Sequence, residues 1–380
     1  MDGSRMEYRP LPRAPDVRLS ALGFACARLP TVPGDAARVD EDAAARLLHQ
    51  AIDSGVNYVD TSWSDHRGES EPFLGRALAG GWRGKVRLAT KLPVGLVKSE
   101  GDWERFLDAQ LERLATDHLD FYLLPGLAHD RWDLVKRLGG LSALERARAD
   151  GRVEHVGFTL GGSPGEFAEI VLGYDWDLCQ VPLNLLDVES QVGGAGLGLA
   201  SARGVGVVAL APLRGGALAR PPPVVEEAWS GSDRPWPPAE WALRWALSHG
   251  EVTSALCGTQ SAAHLQENLR AASGAPFGPA EEERVAEVRR TYRTRRRVPC
   301  TSCGACQVCA HQIPVSNVFS LYNDAMFESK TDAAAEYLRA FLELGAGADQ
   351  CDACGACLPM CPAGISIPEK LREAHAYLTT

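Results

Sequence analysis

Residues 40–60 read DEDAAARLLHQAIDSGVNYVD. Ala44, Leu47, Leu48 and Ala51 recur at three-to-four spacing, which predicts an amphipathic helix over 40–54. A glycine follows, then a short apolar strand at 56–59. The same alternation extends in both directions. Strand patterns fall at 22–25, 56–59, 86–90, 119–124, 153–158, 178–181, 206–210 and 252–257, with helical patterns at 102–114, 131–148 and 238–248 in the gaps. Eight strands alternating with helices predict an α/β fold, a (β/α)8 TIM barrel, rather than an open doubly wound sheet. The barrel is expected over 17–293, after an N-terminal tail at 1–16.

Composition narrows the function classes. The 380 residues are 45% hydrophobic and 23% charged, as in an ordinary soluble globular chain. A net charge of -10, from 49 acidic and 39 basic residues, argues against nucleic acid as a partner, since phosphate binding needs a basic face. No apolar stretch approaches the length of a membrane span, and residues 1–15 are polar with no signal-peptide core, so a cytoplasmic location is expected. No GxGxxG follows the first strand and no P-loop occurs. The glycine-rich 193–198 reads as a flexible connection rather than a phosphate cradle, 219–238 as a long surface loop or lid at the barrel mouth, and the basic 289–297 as a solvated helix end.

Cys26, Cys179 and Cys257 are scattered and read as inert core residues, with Cys26 set apart by its place near the end of the first strand, while the other eight cysteines all follow residue 299. Residues 351–362, CDACGACLPMCP, follow C-x2-C-x2-C-x3-C-P, the bacterial ferredoxin spacing. Cys300, Cys303, Cys306 and Cys309 follow a set one residue shorter, without the proline. CxxC pairs also bind zinc, but a triple CxxCxxC leaves a tetrahedral site one ligand in excess. The crossed ferredoxin pattern assigns Cys300, Cys303, Cys306 and Cys361 to one [4Fe-4S] cluster and Cys351, Cys354, Cys357 and Cys309 to a second. Residues 294–380 are therefore expected to form a helical bis-[4Fe-4S] ferredoxin-like domain whose clusters carry electrons singly.

The segments GVNYVDTS (55–62), GESEPFLGRAL (68–78), VRLATK (86–91), LDFYLL (119–124), GRVEHVGFT (151–159), APLRGG (211–216) and LQENLRAA (265–272) resemble the aldo/keto reductases. With PCTSCGACQVC (299–309), LYNDAMF (321–327), QCDACGACLPMCP (350–362) and ISIPEKL (365–371), the chain is similar to the branch carrying a C-terminal ferredoxin-like domain.

That resemblance implies carbonyl chemistry with NADP(H), or NAD(H), and a tetrad of Asp, Tyr, Lys and His at the strand ends. Asp60 and Lys91 match two of these, but Asp65 stands at the tyrosine position and Pro125 at the histidine position. A carboxylate beside a lysine cation cannot donate a proton to a carbonyl oxygen, so His66 or His129 would have to supply one, and Asp65 fits a general base better. Cofactor contacts are implied at Gln180, Asn184, Pro212, Leu213, Gly215, Gly258, Thr259, His264, Glu267 and Asn268, with Leu210 at the stacking position. Ser261 and His264 stand where basic residues would hold a 2′-phosphate, which weakens any preference for NADPH.

The leading expectation is an iron-sulfur oxidoreductase acting on a small organic substrate at the barrel mouth. A hydride carries two electrons and a cluster takes one, and no flavin motif converts between them, so either an external ferredoxin or other electron donor serves the clusters or the clusters are structural. The alternatives are a lyase or isomerase using Asp65 as base, and a non-catalytic redox sensor or accessory protein.

Overall fold

The computed structural model describes residues 6–35, 37–188, 192–273, 277–327 and 329–380. Strands β1 (Tyr8–Pro10) and β2 (Arg18–Ser20) pair antiparallel. The next eight, β3 (Leu22–Ala25), β4 (Tyr58–Asp60), β5 (Arg87–Lys91), β6 (Leu119–Leu127), β7 (Val153–Leu160), β8 (Leu178–Pro182), β9 (Gly206–Leu210) and β10 (Val252–Gly258), are parallel and close into a barrel. The chain is thus the expected TIM barrel followed by a cysteine-bearing helical segment. No helix among the described residues is long and apolar enough to cross a membrane.

The helices are α1 (Glu41–Asp53), α2 (Ser70–Ala77), α3 (Gly101–Leu114), α4 (His129–Arg137), α5 (Gly140–Ala149), α6 (Pro164–Gly173), α7 (Gly193–Ala202), α8 (Pro223–Ser230), α9 (Pro238–Ser248), α10 (Ala262–Ala272), α11 (Pro279–Arg295), α12 (Val315–Phe327), α13 (Lys330–Tyr337) and α14 (Ile367–Leu378). Asp40 caps α1 by accepting from the Ala43 amide, which satisfies one orphan donor of the first turn. The helix expected over 131–148 is two helices, because Gly139 at φ +68° turns the chain where an L-residue would be strained.

Two expected loops contain helices, and the described part of the expected tail, from residue 6, enters a hairpin. Residues 193–198 begin α7: a Cβ on Gly196 would lie 2.4 Å from a Val192 methyl and 3.3 Å from the Phe167 ring, so the glycine allows α7 to lie close on α6. Residues 223–230 form α8, which packs on α11 through the Arg284 guanidinium at 3.1 Å from the Ala228 carbonyl. Residues 8–20 hold the β1–β2 hairpin, stitched to the barrel by Tyr8 to the Gly55 carbonyl at 2.8 Å and Arg9 to those of Val252 at 2.7 Å and Leu247 at 2.9 Å. Leu11 and Leu19 join Tyr58, Phe121, Leu123, Leu178 and Leu256 in one buried cluster.

The chain divides into two compact units. One comprises the described residues of Met1–Val188, Val192–Gly215 and Ala239–Phe277; the other includes Gly216–Pro238 and those of Gly278–Thr380. The second unit has its own core, in which Val318, Phe319, Tyr322, Tyr337, Ile367 and Leu371 pack around Cys306.

Candidate functional site

Asp60 ends β4 and Lys91 ends β5, adjacent strands whose register pairs Asp60 with Ala89. The Lys91 ammonium donates to Asp60 Oδ1 and, at 2.9 Å, to the Thr61 carbonyl. From β8, Gln180 Nε2 donates to Asp60 Oδ2 at 2.6 Å and to the Tyr58 hydroxyl at 2.9 Å. Burial pushes the Asp60 carboxyl above its ordinary value, while the charge and hydrogen bond of Lys91 and the Gln180 amide pull it back. Tyr58 was not singled out from sequence; its signal is the period-two step that puts it on the same face of β4 as Asp60. Burial, then the Asp60 charge, raise its phenol well above the usual range, so it keeps its proton.

Lys91 is braced from behind. Its carbonyl accepts from Gln110 at 3.1 Å, and Gln110 also bonds Glu71, which takes Thr90 at 2.7 Å and Arg113 at 3.2 Å. Tyr122 closes the network onto Gln110 Oε1 at 2.8 Å. This buried, satisfied polar network fixes the strand end that presents the ammonium. Glu71 and Gln110 were also unread from sequence, although Glu71 lies inside the GESEP segment.

Asp65 opens a 3-10 turn beyond β4, is half-buried, and lies close enough to Asp60 to raise its carboxyl. The expected partnership of Lys91 with Asp65 is not the one found. Lys91 is held by Asp60, because both sit at ends of neighbouring strands, and the Asp65 side chain makes no hydrogen bond or ion pair with any described residue. His66 is not free at the rim: its Nε2 lies 3.1 Å from the Cys26 carbonyl and 3.3 Å from the Leu29 amide. His129, at the start of α4, is exposed and sits 3.4 Å from Asp133, one turn further along the same helix, and 3.6 Å from Glu169 on α6, so it does not join Asp60 and Lys91. Pro125 lies in β6 where the register with β7 shifts, and its carbonyl accepts from Arg131 at 3.2 Å. Cys26 is fully buried; burial, then Asp65 and Asp60, raise its thiol well above the ordinary range.

The residues implied for a dinucleotide lie at the ends of β8, β9 and β10. Gln180 Oε1 is buried with no hydrogen-bond partner, an orphaned acceptor that fits the amide donor of a nicotinamide carboxamide. Asn184 is less available, since it accepts from the Leu186 and Asp187 amides and donates to Asp187 at 3.0 Å. Leu210 ends β9, Pro212 and Leu213 follow, and Gly215 lies in the next 3-10 turn with φ +70°. Gly258 ends β10; Thr259 and Asn268 are buried and bonded at 3.4 Å, while His264 and Glu267 lie half-buried on α10.

The cysteines form two cavities. Cys300, Cys303, Cys306 and Cys361 line one, with Phe319 and Ile367. Cys309, Cys351, Cys354 and Cys357 line the other, with His311 and Leu371. The two loops repeat one backbone course: Ser302 and Gly304 have φ +56° and +75°, Ala353 and Gly355 +58° and +77°. Among the described residues no three of these sulfurs lie within 4.8 Å of one another. Tetrahedral zinc, with Zn–S of about 2.3 Å, would bring its sulfurs to about 3.8 Å, so the donor set fits a larger iron-sulfur cube.

Residues 29–290 match the aldo/keto reductase family and residues 298–365 the 4Fe-4S dicluster domain. L-galactose dehydrogenase from Arabidopsis thaliana is 26% identical over 305 residues, spanning 72% of this chain and 90% of that protein. 6-Dehydroglucose reductase from Novosphingobium aromaticivorans is 26% identical over 250 residues, 60% of this chain and 80% of its own. The holo form of an aldo-keto reductase from Bacillus halodurans superposes with a TM-score of 0.64 at 25% identity, covering 75% of this chain and 96% of that one.

Proposed function

The chain belongs to the aldo/keto reductase family and carries a C-terminal 4Fe-4S dicluster domain, and we propose that it oxidises a hydroxyl group of a small polar molecule at the barrel mouth. The observation that carries this reading is the Asp65 carboxylate, without a side-chain partner among the described residues, near the Asp60–Lys91 pair. In this reading Asp65 and Pro125 replace the proton donor and the orienting imidazole of the family's tetrad. A free carboxylate accepts a proton far more readily than it gives one at neutral pH. Asp65 takes the substrate O–H proton, and the Lys91 ammonium, steadied by Asp60, stabilises the developing alkoxide. A nicotinamide, when bound, supplies the hydride acceptor. Gln180 holds its carboxamide, and the 211–215 and 258–268 segments hold the rest of the dinucleotide. Two relatives bear the names of sugar-converting enzymes, which supports a hydroxyl-rich substrate.

Each cysteine cavity holds one [4Fe-4S] cluster. These exchange single electrons with an external carrier such as a ferredoxin, since a hydride and a cluster differ in electron count. The test is anaerobic holoprotein incubated with sugars and polyols and either NAD+ or NADP+, following the nicotinamide and cluster absorption bands. Asp65→Asn should lose most turnover with iron content and melting unchanged. Parent-level turnover in that variant, brisk aldehyde reduction by the parent, or turnover without nicotinamide would each overturn the reading, the last in favour of a lyase or isomerase.

A further inference from the structure

Arg28 closes the 3-10 turn Cys26–Arg28 that follows β3, is exposed, and makes no side-chain hydrogen bond or ion pair with any described residue. Its course is nonetheless defined. A Cβ placed on Gly258 would meet Arg28 Cβ at 2.8 Å and its Cγ and Cδ at 3.2 Å, so the aliphatic stem lies flat on the end of β10. A Cβ on Gly215 would meet Arg28 Nη2 at 3.3 Å, so the guanidinium reaches the turn after β9. Both glycines leave room for this side chain. β9 and β10 are the seventh and eighth strands of the barrel, and the loops after those two strands frequently form the phosphate site of TIM barrels.

The neighbouring charges point the same way. Arg214, beside Gly215, is already paired with Asp187 at 3.3 Å, and residues 258–268 contain neither lysine nor arginine. An anion between these loops therefore has the Arg28 fork as its cationic donor, a group suited to bidentate contact with phosphate oxygens. We infer that Arg28 binds the pyrophosphate of a dinucleotide, reaching the site from the first barrel strand, and that the chain accordingly accepts NADH and NADPH alike. The guanidinium lies at Gly215, in the turn after β9, while Ser261 and His264, the positions matched to a 2′-phosphate, follow β10. This rests on the reading of the barrel mouth as a dinucleotide site.

The test is calorimetric titration of anaerobic holoprotein, parent and Arg28→Met, with NADH, NADPH and inorganic pyrophosphate as separate probes. Methionine keeps an aliphatic stem over Gly258 and removes the charge. The parent should bind both dinucleotides with similar affinity. The variant should weaken both by the same factor, on the order of tenfold to a hundredfold, lose pyrophosphate binding, and retain iron content and melting. Arg28→Lys should recover part of the loss. Parent affinities in Arg28→Met would remove Arg28 from the site while leaving the dinucleotide reading intact. A loss confined to NADPH would overturn the pyrophosphate assignment in favour of the 2′-phosphate. A parent that binds pyrophosphate through Arg28 but neither dinucleotide would keep the anion site and overturn the cofactor reading; a parent that binds none of the three would overturn both.

Discussion

Replacing Lys91 by methionine removes the cation from a carboxylate that is only 4% exposed, leaving Asp60 with Gln180 Nε2 at 2.6 Å as its remaining side-chain donor. Breaking a buried pair from one side costs about 3–5 kcal/mol, because the surviving charge is stranded in a low-dielectric setting. For a barrel of this size each kcal/mol corresponds to roughly 2 °C, so barrel melting should fall by about 6–10 °C. The pH dependence has a definite sign. The folded Asp60 carboxyl is already raised above its ordinary value by burial, and losing Lys91 raises it further. The penalty is therefore full above that raised value and shrinks as pH falls and Asp60 takes a proton. Far-ultraviolet circular dichroism melts of anaerobic holoprotein, parent and Lys91→Met, at about pH 8 and about pH 6 read this directly. Asp60→Asn combined with Lys91→Met should melt above Lys91→Met alone, since the stranded charge is gone. A Lys91→Met variant that melts with the parent at both pH values, or a double variant no more stable than the single, would refute the buried-pair argument.

Removing Cys361 by alanine should halve the iron content from about eight to about four per chain, because that sulfur lines only the cavity shared with Cys300, Cys303 and Cys306; metal analysis and paramagnetic resonance of the reduced protein check this. Gly196→Ala should destabilise the barrel by about 1–3 kcal/mol in chemical denaturation, since its new methyl would meet the side chain of Val192, the N-cap of α7 itself, at 2.4 Å and crowd the Phe167 ring of α6 at 3.3 Å. Burial pushes the Cys179 and Cys257 thiols up to about 12, and Cys26 is raised as well, so none of the three should react with iodoacetamide in the native holoprotein at neutral pH; peptide mapping after a short pulse would reveal any that does.

The barrel was readable because its strands are apolar runs bounded by turn residues, and 22–25 and 206–210 coincide with β3 and β9 at both ends. The errors have specific causes. Gly139 splits one amphipathic pattern into α4 and α5 without interrupting its periodicity, so only the left-handed backbone reveals the break. In α7, of the glycines that suggested a loop, Gly196 serves close packing, a property of the Phe167 ring on α6 that the segment itself does not reveal. At the mouth, Asp60 and Lys91 were legible through the family resemblance, and they meet because each ends one of two adjacent strands. Asp65 was harder to place, since it precedes His66 and Arg67 in left-handed backbone at φ +50° and +56°, and that turn determines its neighbours. Arg28 and Gln110 gave no local signal; their meaning depends on residues that the barrel closure brings beside them.

The hairpin at the start of the barrel also bears on synthesis. Arg9 bonds the carbonyl of Val252, 243 positions later, and Ala25 pairs in register with Gly258. β3 can pair with β4 early, but its other edge and the Arg9 bonds wait for β10, the last strand to leave the ribosome. At about 5–20 residues per second that wait is roughly 10–50 s, during which Leu11, Leu19 and Phe24, all buried in the finished barrel, lack the part of their cover that β10 supplies. An early-emerging segment with so long a wait is a natural client for a chaperone that shelters apolar chain during translation.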